Sequence, residues 1–138
     1  MLYACIRTII QGGDKMAWTF NSDRPVYLQI AERITKSVLS AEFKPGEKLP
    51  TVRHLAMHAA VNPNTVQRAY QELENDGLII VKGTLGRFVT DDTDIIERNR
   101  KKLAKHIVAE FCNSFGELSL PLSQAIEMIK EVDANECA

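Results

Sequence analysis

Tyr27, Ile30, Ile34, Val38 and Ala41 recur at three- and four-residue intervals. That spacing lines one face of an α-helix and predicts a first helix over 25–41, with Pro25 suited to its first turn. Pro45 and Gly46 mark a turn that ends it. Thr51 is placed to cap a short second helix carrying Leu55, Ala56 and Ala59. In the next segment Asn62 can cap, and Pro63 takes the first helical position, where its missing N–H removes no hydrogen bond. Val61 can then staple onto Val66. The third helix puts Val66, Ala69, Tyr70 and Leu73 on one stripe and stops at Asn75-Asp76-Gly77. Asn64, Gln67, Arg68 and Gln71 fall on its opposite side.

Leu78 to Val81 and Arg87 to Thr90 are short apolar or β-branched runs around a Gly-containing loop, 82–86, which predicts a hairpin. Three helices and a hairpin make a winged helix-turn-helix: a mainly α domain with a small β-hairpin. Beyond it, Ile96, Leu103, Ile107 and Phe111 mark one face of a long helix that Asn113 to Gly116 are expected to interrupt. Leu122, Ala125, Ile126, Ile129 and Val132 mark another, with Ser119 as its cap and Pro121 in its first turn. Two amphipathic helices of this size cannot bury both apolar faces alone, so a homodimer is expected. The candidate dimerisation residues are Ile96, Leu103, Ile107, Phe111, Leu122, Ile126 and Ile129.

Composition narrows the picture. A chain of 138 residues with 45% hydrophobic content is one small domain with an appendage, and neither disordered nor collagen-like. No apolar run nears the roughly 20 residues of a bilayer crossing, because Arg7, Gln11 and Gly12 break the longest candidate; a soluble protein with no membrane partner is expected. Cys5, Cys112 and Cys137 lack CxxC spacing, which fits reduced thiols in a cytoplasmic protein. Residues 1–15 lack the basic start and small-residue end of a signal peptide, and Met16 follows them directly. They are read as an extension ahead of a natural start at Met16, followed by a winged helix-turn-helix domain over 16–90 and a C-terminal helical dimerisation segment over 91–138. The net charge of -1 hides an asymmetry: residues 24–90 carry nine Lys/Arg against six Asp/Glu, and residues 91–138 carry six against ten.

The ordered set PVYLQIAERI, FKPGEKLPTVRHLA, VNPNTVQRAYQELENDGLI and GRFV resembles the N-terminal domain of the GntR family of bacterial transcription regulators over about half the chain. The short acidic tail is similar to that of the YtrA-like subfamily, which carries a small helical dimerisation segment in place of a larger effector domain. The resemblance implies a homodimeric, sequence-specific repressor of a transporter-type operon that includes its own gene. It implies DNA contacts at Arg53, Asn64, Thr65, Gln67 and Arg68. Many family members have basic or hydroxyl residues at the positions of Pro63 and Asn64 and an arginine at that of Gln67, so their operators do not transfer. The usual wing Gly-x-Gly is also altered here to Thr84-Leu85-Gly86.

The residues carry their own chemistry. An amide donates and accepts at once and matches the N6/N7 edge of adenine, whereas arginine matches O6/N7 of guanine. Asn64, Gln67 and Gln71 thus suggest adenine readout; Arg53 and Arg68 suggest guanine or phosphate. Lys36, Lys44, Lys48, Lys82 and Arg87 are candidates to neutralise phosphates, Lys82 and Arg87 foremost because a wing lies along the backbone. His54 and His58 stand i, i+4, but without an intervening carboxylate or a third ligand they point to no metal site. No nucleophile elbow, phosphate loop or carboxylate pair suggests an enzyme or a cofactor. The expected partner is a pseudo-palindromic double-stranded operator. Two helices in the tail leave little room for an enclosed effector pocket. The alternatives are a ligand-responsive regulator with a dimer-interface pocket and a winged-helix protein-interaction module.

Overall fold

A computed structural model of the chain describes residues 18–136. The extension at 1–15 and the start at Met16 lie outside the described residues. The chain forms two compact units, one up to Asn99 and one from Arg100. The element order is α1 (Val26–Leu39), α2 (Val52–Ala59), α3 (Pro63–Asn75), β1 (Ile79–Val81), β2 (Arg87–Val89), α4 (Thr93–Gly116) and α5 (Leu122–Glu136), with a 3-10 turn at Gly83–Leu85.

In the first unit α1 and α2 both pack on α3, and β1 packs on it as well. The apolar stripes read from the sequence form this core: Ile30, Ile34 and Val38 from α1, Leu55, Ala56 and Ala59 from α2, and Val66, Ala69, Tyr70 and Leu73 from α3 are all buried. Each of the larger side chains contributes roughly 1.5–3 kcal/mol by leaving water. The first helix ends at Leu39 rather than Ala41, because Ala41 turns the chain with φ +62°. The third ends where expected. Gly77 adopts φ +76°, and the N–H groups of Gly77 and Leu78 return to the carbonyls of Glu74 and Leu73, a Schellman motif.

The wing pairs β1 and β2 antiparallel, with Ile79 opposite Val89, Ile80 opposite Phe88 and Val81 opposite Arg87. The other edge of β2 takes the segment 46–49: Val89 N donates to Glu47 O and Leu49 N to Arg87 O, each at 2.9 Å. The Pro45-Gly46 turn therefore anchors the wing as well as ending α1.

A buried glutamine ties the start of the described chain to α1. Gln29 accepts from Asn21 N at 2.8 Å and donates to the carbonyls of Asn21 and Arg24 at 2.8 and 2.9 Å. One turn on, Arg33 donates to Thr19 O at 2.7 Å, with its guanidinium over the rings of Trp18 and Phe20.

The second unit holds the end of α4 and all of α5. The break expected at Asn113 is displaced. The helix continues to Gly116 with Phe111 stacked on Phe115 at 5.8 Å, and the chain turns only over Glu117–Leu120. An i, i+4 aromatic pair offsets the poor helix propensity of Asn113 and Ser114. Ser119 sits in that turn with φ +57° rather than capping α5, and Gln124 N bonds to Pro121 O in the first turn instead. No helix among the described residues is long and apolar enough to cross a membrane.

Candidate nucleic-acid interface

The helix-turn-helix is set by two caps and a left-handed residue. Thr51 Oγ1 accepts from His54 N at 3.2 Å to start α2. Ala60 then takes φ +55°, and Val61 N closes the end of α2 on Ala56 O at 3.1 Å. Asn62 Oδ1 accepts from Asn64 N at 2.8 Å, with Pro63 in the first position of α3. The sequence expectation for this turn holds.

With Val66, Ala69, Tyr70 and Leu73 buried, geometry forces Asn64, Gln67, Arg68 and Gln71 outward, and all four are exposed. Thr65 is half-buried, and Arg53 is exposed in the first turn of α2. The N-terminus of α3 carries no acidic residue in its first turn, so nothing there offsets its positive dipole end, although Asn62 already accepts from the N–H groups of Asn64, Thr65 and Val66.

Two of these side chains are held by neighbours. The Arg68 guanidinium lies 3.9 Å from the Tyr27 ring centroid, so a residue read as part of the α1 stripe also supports the outer face of α3. Gln67 accepts at Oε1 from Arg87 Nη2 at 3.2 Å. Arg87 also donates through Nε to Glu74 Oε1 at 2.8 Å, and its guanidinium carbon lies 5.2 Å from the Tyr70 ring centroid. Its charge is thus balanced by a carboxylate on α3. Lys82, at the wing, rests its ammonium over Phe88 at 4.8 Å and is exposed.

Tyr70 joins the parts. Its hydroxyl donates to Pro50 O at 2.6 Å, which links the middle of α3 to the residue before the α2 cap. Burial pushes its phenol well above the usual value, and the charge of Arg87 opposes this only in part.

Sequence reasoning reached the exposed stripe but missed the Arg87 link. The available signal was that Gln67, Tyr70 and Glu74 are spaced i, i+3 and i+7, with an arginine in the strand that follows. His54 and His58 stack at 4.7 Å, and no cluster of three or more His, Cys, Asp or Glu suited to a metal occurs among the described residues.

In the second unit, Ile107, Phe111, Leu122, Ile126, Ile129 and Val132 are exposed by 42–55%. Ile96, grouped with them on sequence, is instead buried at 5% and belongs to the first unit. Leu103 is half-buried. An open cleft of about 460 Å³ is lined by Phe111, Phe115, Ala125, Met128, Ile129, Val132 and Asp133.

Residues 26–89, from α1 to the end of β2, match the family described as bacterial regulatory proteins, gntR family. The chain is 37% identical to the uncharacterized HTH-type transcriptional regulator YhcF of Bacillus subtilis over 80% of its own length and 92% of that protein's. It is 33% identical to the HTH-type transcriptional repressor YtrA of the same organism, over 83% and 88% of the two chains. Its fold matches that of a GntR family transcriptional regulator from Listeria monocytogenes with a TM-score of 0.76 at 32% identity, covering 81% of this chain and 98% of that one. These relatives are transcriptional regulators, not enzymes. A winged helix-turn-helix with this ordered motif set, shared across nearly the whole length of such regulators, is a DNA-binding domain, and the chain belongs to the GntR family of bacterial transcriptional regulators.

Proposed function

We propose that this protein is a homodimeric, sequence-specific repressor that reads a pseudo-palindromic operator in the cytoplasm. The observation that carries the reading is the exposed polar stripe Asn64, Gln67, Arg68 and Gln71 on α3, opposite a fully buried stripe on the same helix. A helix presented in this way fits the major groove, where base edges are distinguishable. Arg53, Thr65 and Lys82 border it as further contacts to base or phosphate.

The uncovered apolar faces of α4 and α5 support the dimer. Leaving Phe111, Leu122, Ile126, Ile129 and Val132 half-exposed is unfavourable, and a second copy offers the same faces in return. Two recognition helices then meet half-sites about one helical turn apart, or at a spacing set by the tail. Repression is supported by the printed role of the YtrA relative, a transcriptional repressor, and the regulated unit in this reading is a transporter-type operon that includes the gene itself.

Selection from a random duplex pool at near-physiological salt tests this. A two-fold-symmetric consensus is expected, and no enrichment over the unselected pool would overturn the reading. Deleting the gene should raise transcription from the selected promoter, and a fall would contradict repression. A second reading, a ligand-responsive regulator, is favoured by the 460 Å³ apolar cleft. Thermal stabilisation by a small apolar metabolite, lost on Ala125→Phe, would support it.

A further inference from the structure

The clearest unexplained arrangement in the molecule is the bridge from the wing to the recognition helix. Gln67, Tyr70 and Glu74 lie along one side of α3 over two turns, and Arg87 of β2 touches all three. The Arg87 and Glu74 side chains are only 21% and 28% exposed, so their ion pair is shielded and holds its geometry better than a surface pair would. A guanidinium is planar, so fixing Nε on Glu74 also fixes the direction of Nη2.

The chemistry at Gln67 follows. A guanidinium has donors only, so the amide atom it meets is the oxygen, and the NH2 group is turned away. An unrestrained glutamine matches adenine by accepting from N6 while donating to N7. The Arg87 Nη2 at 3.2 Å occupies one of the two acceptor sites of Oε1 and sets a cation beside the other, so an adenine amino group has to compete with Arg87 for that oxygen. The two hydrogens of the NH2 remain for acceptors. Guanine alone presents two adjacent acceptors, O6 and N7, in the major groove.

We propose that Arg87 is a positioning residue for base readout: anchored on Glu74, it holds the Gln67 oxygen so that the amide NH2 faces the groove and selects a G·C pair. This rests on the reading of α3 as the recognition helix. It changes the meaning of both residues from what composition suggests, since Gln67 reads guanine rather than adenine and Arg87 acts through Gln67 instead of through a phosphate.

The test is selection from a random duplex pool with the full chain as wild type, Gln67→Ala, Arg87→Lys and the double variant Arg87→Met/Glu74→Gln. Lysine keeps the charge but loses the fork; the double variant removes the ion pair without stranding a carboxylate, and keeps the test decisive if Arg87→Lys folds poorly. The wild type is expected to hold G·C at one base pair per half-site, and Gln67→Ala to lose information at that pair. Freed from the guanidinium, Gln67 in the Arg87 variants should shift that pair toward A·T by roughly tenfold in relative enrichment. The slope of log affinity against log salt should stay as in wild type.

An A·T pair at the Gln67-dependent position in wild type would overturn the proposal. So would a slope reduced by about 0.9 in the double variant with base preference retained, the signature of a lost phosphate contact. Enrichment with no Gln67-dependent position would overturn this inference alone, whereas no enrichment by the wild type would remove the DNA reading and this inference with it.

Discussion

The Tyr70 hydroxyl donates to the Pro50 carbonyl at 2.6 Å across twenty residues of sequence, and it does so from a side chain with no exposed surface. This bond sets how deep α3 sits against the turn that launches α2, and hence how far the polar stripe of α3 projects. Tyr70→Phe should cost about 0.5–1.5 kcal/mol, because the hydrogen bond to the half-buried Pro50 is lost. Urea denaturation of the two proteins measures it, and a difference below about 0.3 kcal/mol would count against the bond as a structural tie.

The same group makes an alkaline prediction. Burial raises the Tyr70 pKa in the folded state above the ordinary phenol value of about 10. A group whose folded pKa is raised contributes stability that is fully present below its unfolded pKa and is lost as pH climbs above it. Wild type should therefore lose stability faster than Tyr70→Phe above about pH 10. Parallel melts between pH 8 and 11 would show the gap between the proteins closing.

Two wing glycines should respond differently to alanine. Gly86 has φ +115° with ψ -157°, a region essentially restricted to glycine, and an added Cβ would lie 3.2 Å from Lys48 Cε. Gly83 has φ +49° with nothing within 4 Å of an added Cβ. Gly86→Ala should cost about 3 kcal/mol and weaken DNA binding through the wing, and Gly83→Ala should cost about 1–2 kcal/mol. Thermal melts of the pair would refute this if the order were reversed.

The chain has a single tryptophan, so the N-terminal clamp can be watched directly. Trp18 is 7% exposed and lies beneath the Arg33 guanidinium. Gln29→Ala removes one acceptor and two donations to the segment at Asn21–Arg24, which should cost about 1–3 kcal/mol and release that segment. A red shift of Trp18 emission before global unfolding is the expected sign; an unchanged spectrum would mean that Arg33 alone holds the segment.

Ile129→Glu puts a carboxylate in the apolar face of α5, where Ile129 is 53% exposed. In the homodimer proposed above, sedimentation should show wild type as a dimer and this variant as a monomer at micromolar concentration. Affinity for a two-half-site operator should fall by roughly 10²- to 10⁴-fold as avidity is lost. A variant that stays dimeric would move the interface elsewhere.

The sequence by itself determined the helices of the DNA-binding unit, the helix-turn-helix between them and the polar stripe. These depend on period and local chemistry: Asn62 and Pro63 start α3 whatever surrounds it, and burying Val66, Ala69, Tyr70 and Leu73 forces Asn64, Gln67, Arg68 and Gln71 to the other side. The motif order carried the family for the same reason, since its turns and caps are read over neighbouring residues.

Only the tertiary structure decided what each polar side chain touches. Arg87 and Gln67 are twenty positions apart, and their meeting depends on where the wing folds back along α3, which no local period encodes. Tyr27 counted as a core residue by its spacing, yet its ring also supports Arg68. Ile96 shared the period of the tail but is buried in the first unit, because a helical stripe records which residues are alike and not which unit covers them. The passage of α4 through Asn113 likewise turned on a stacked Phe111–Phe115 pair that outweighs the weak helix propensity between them.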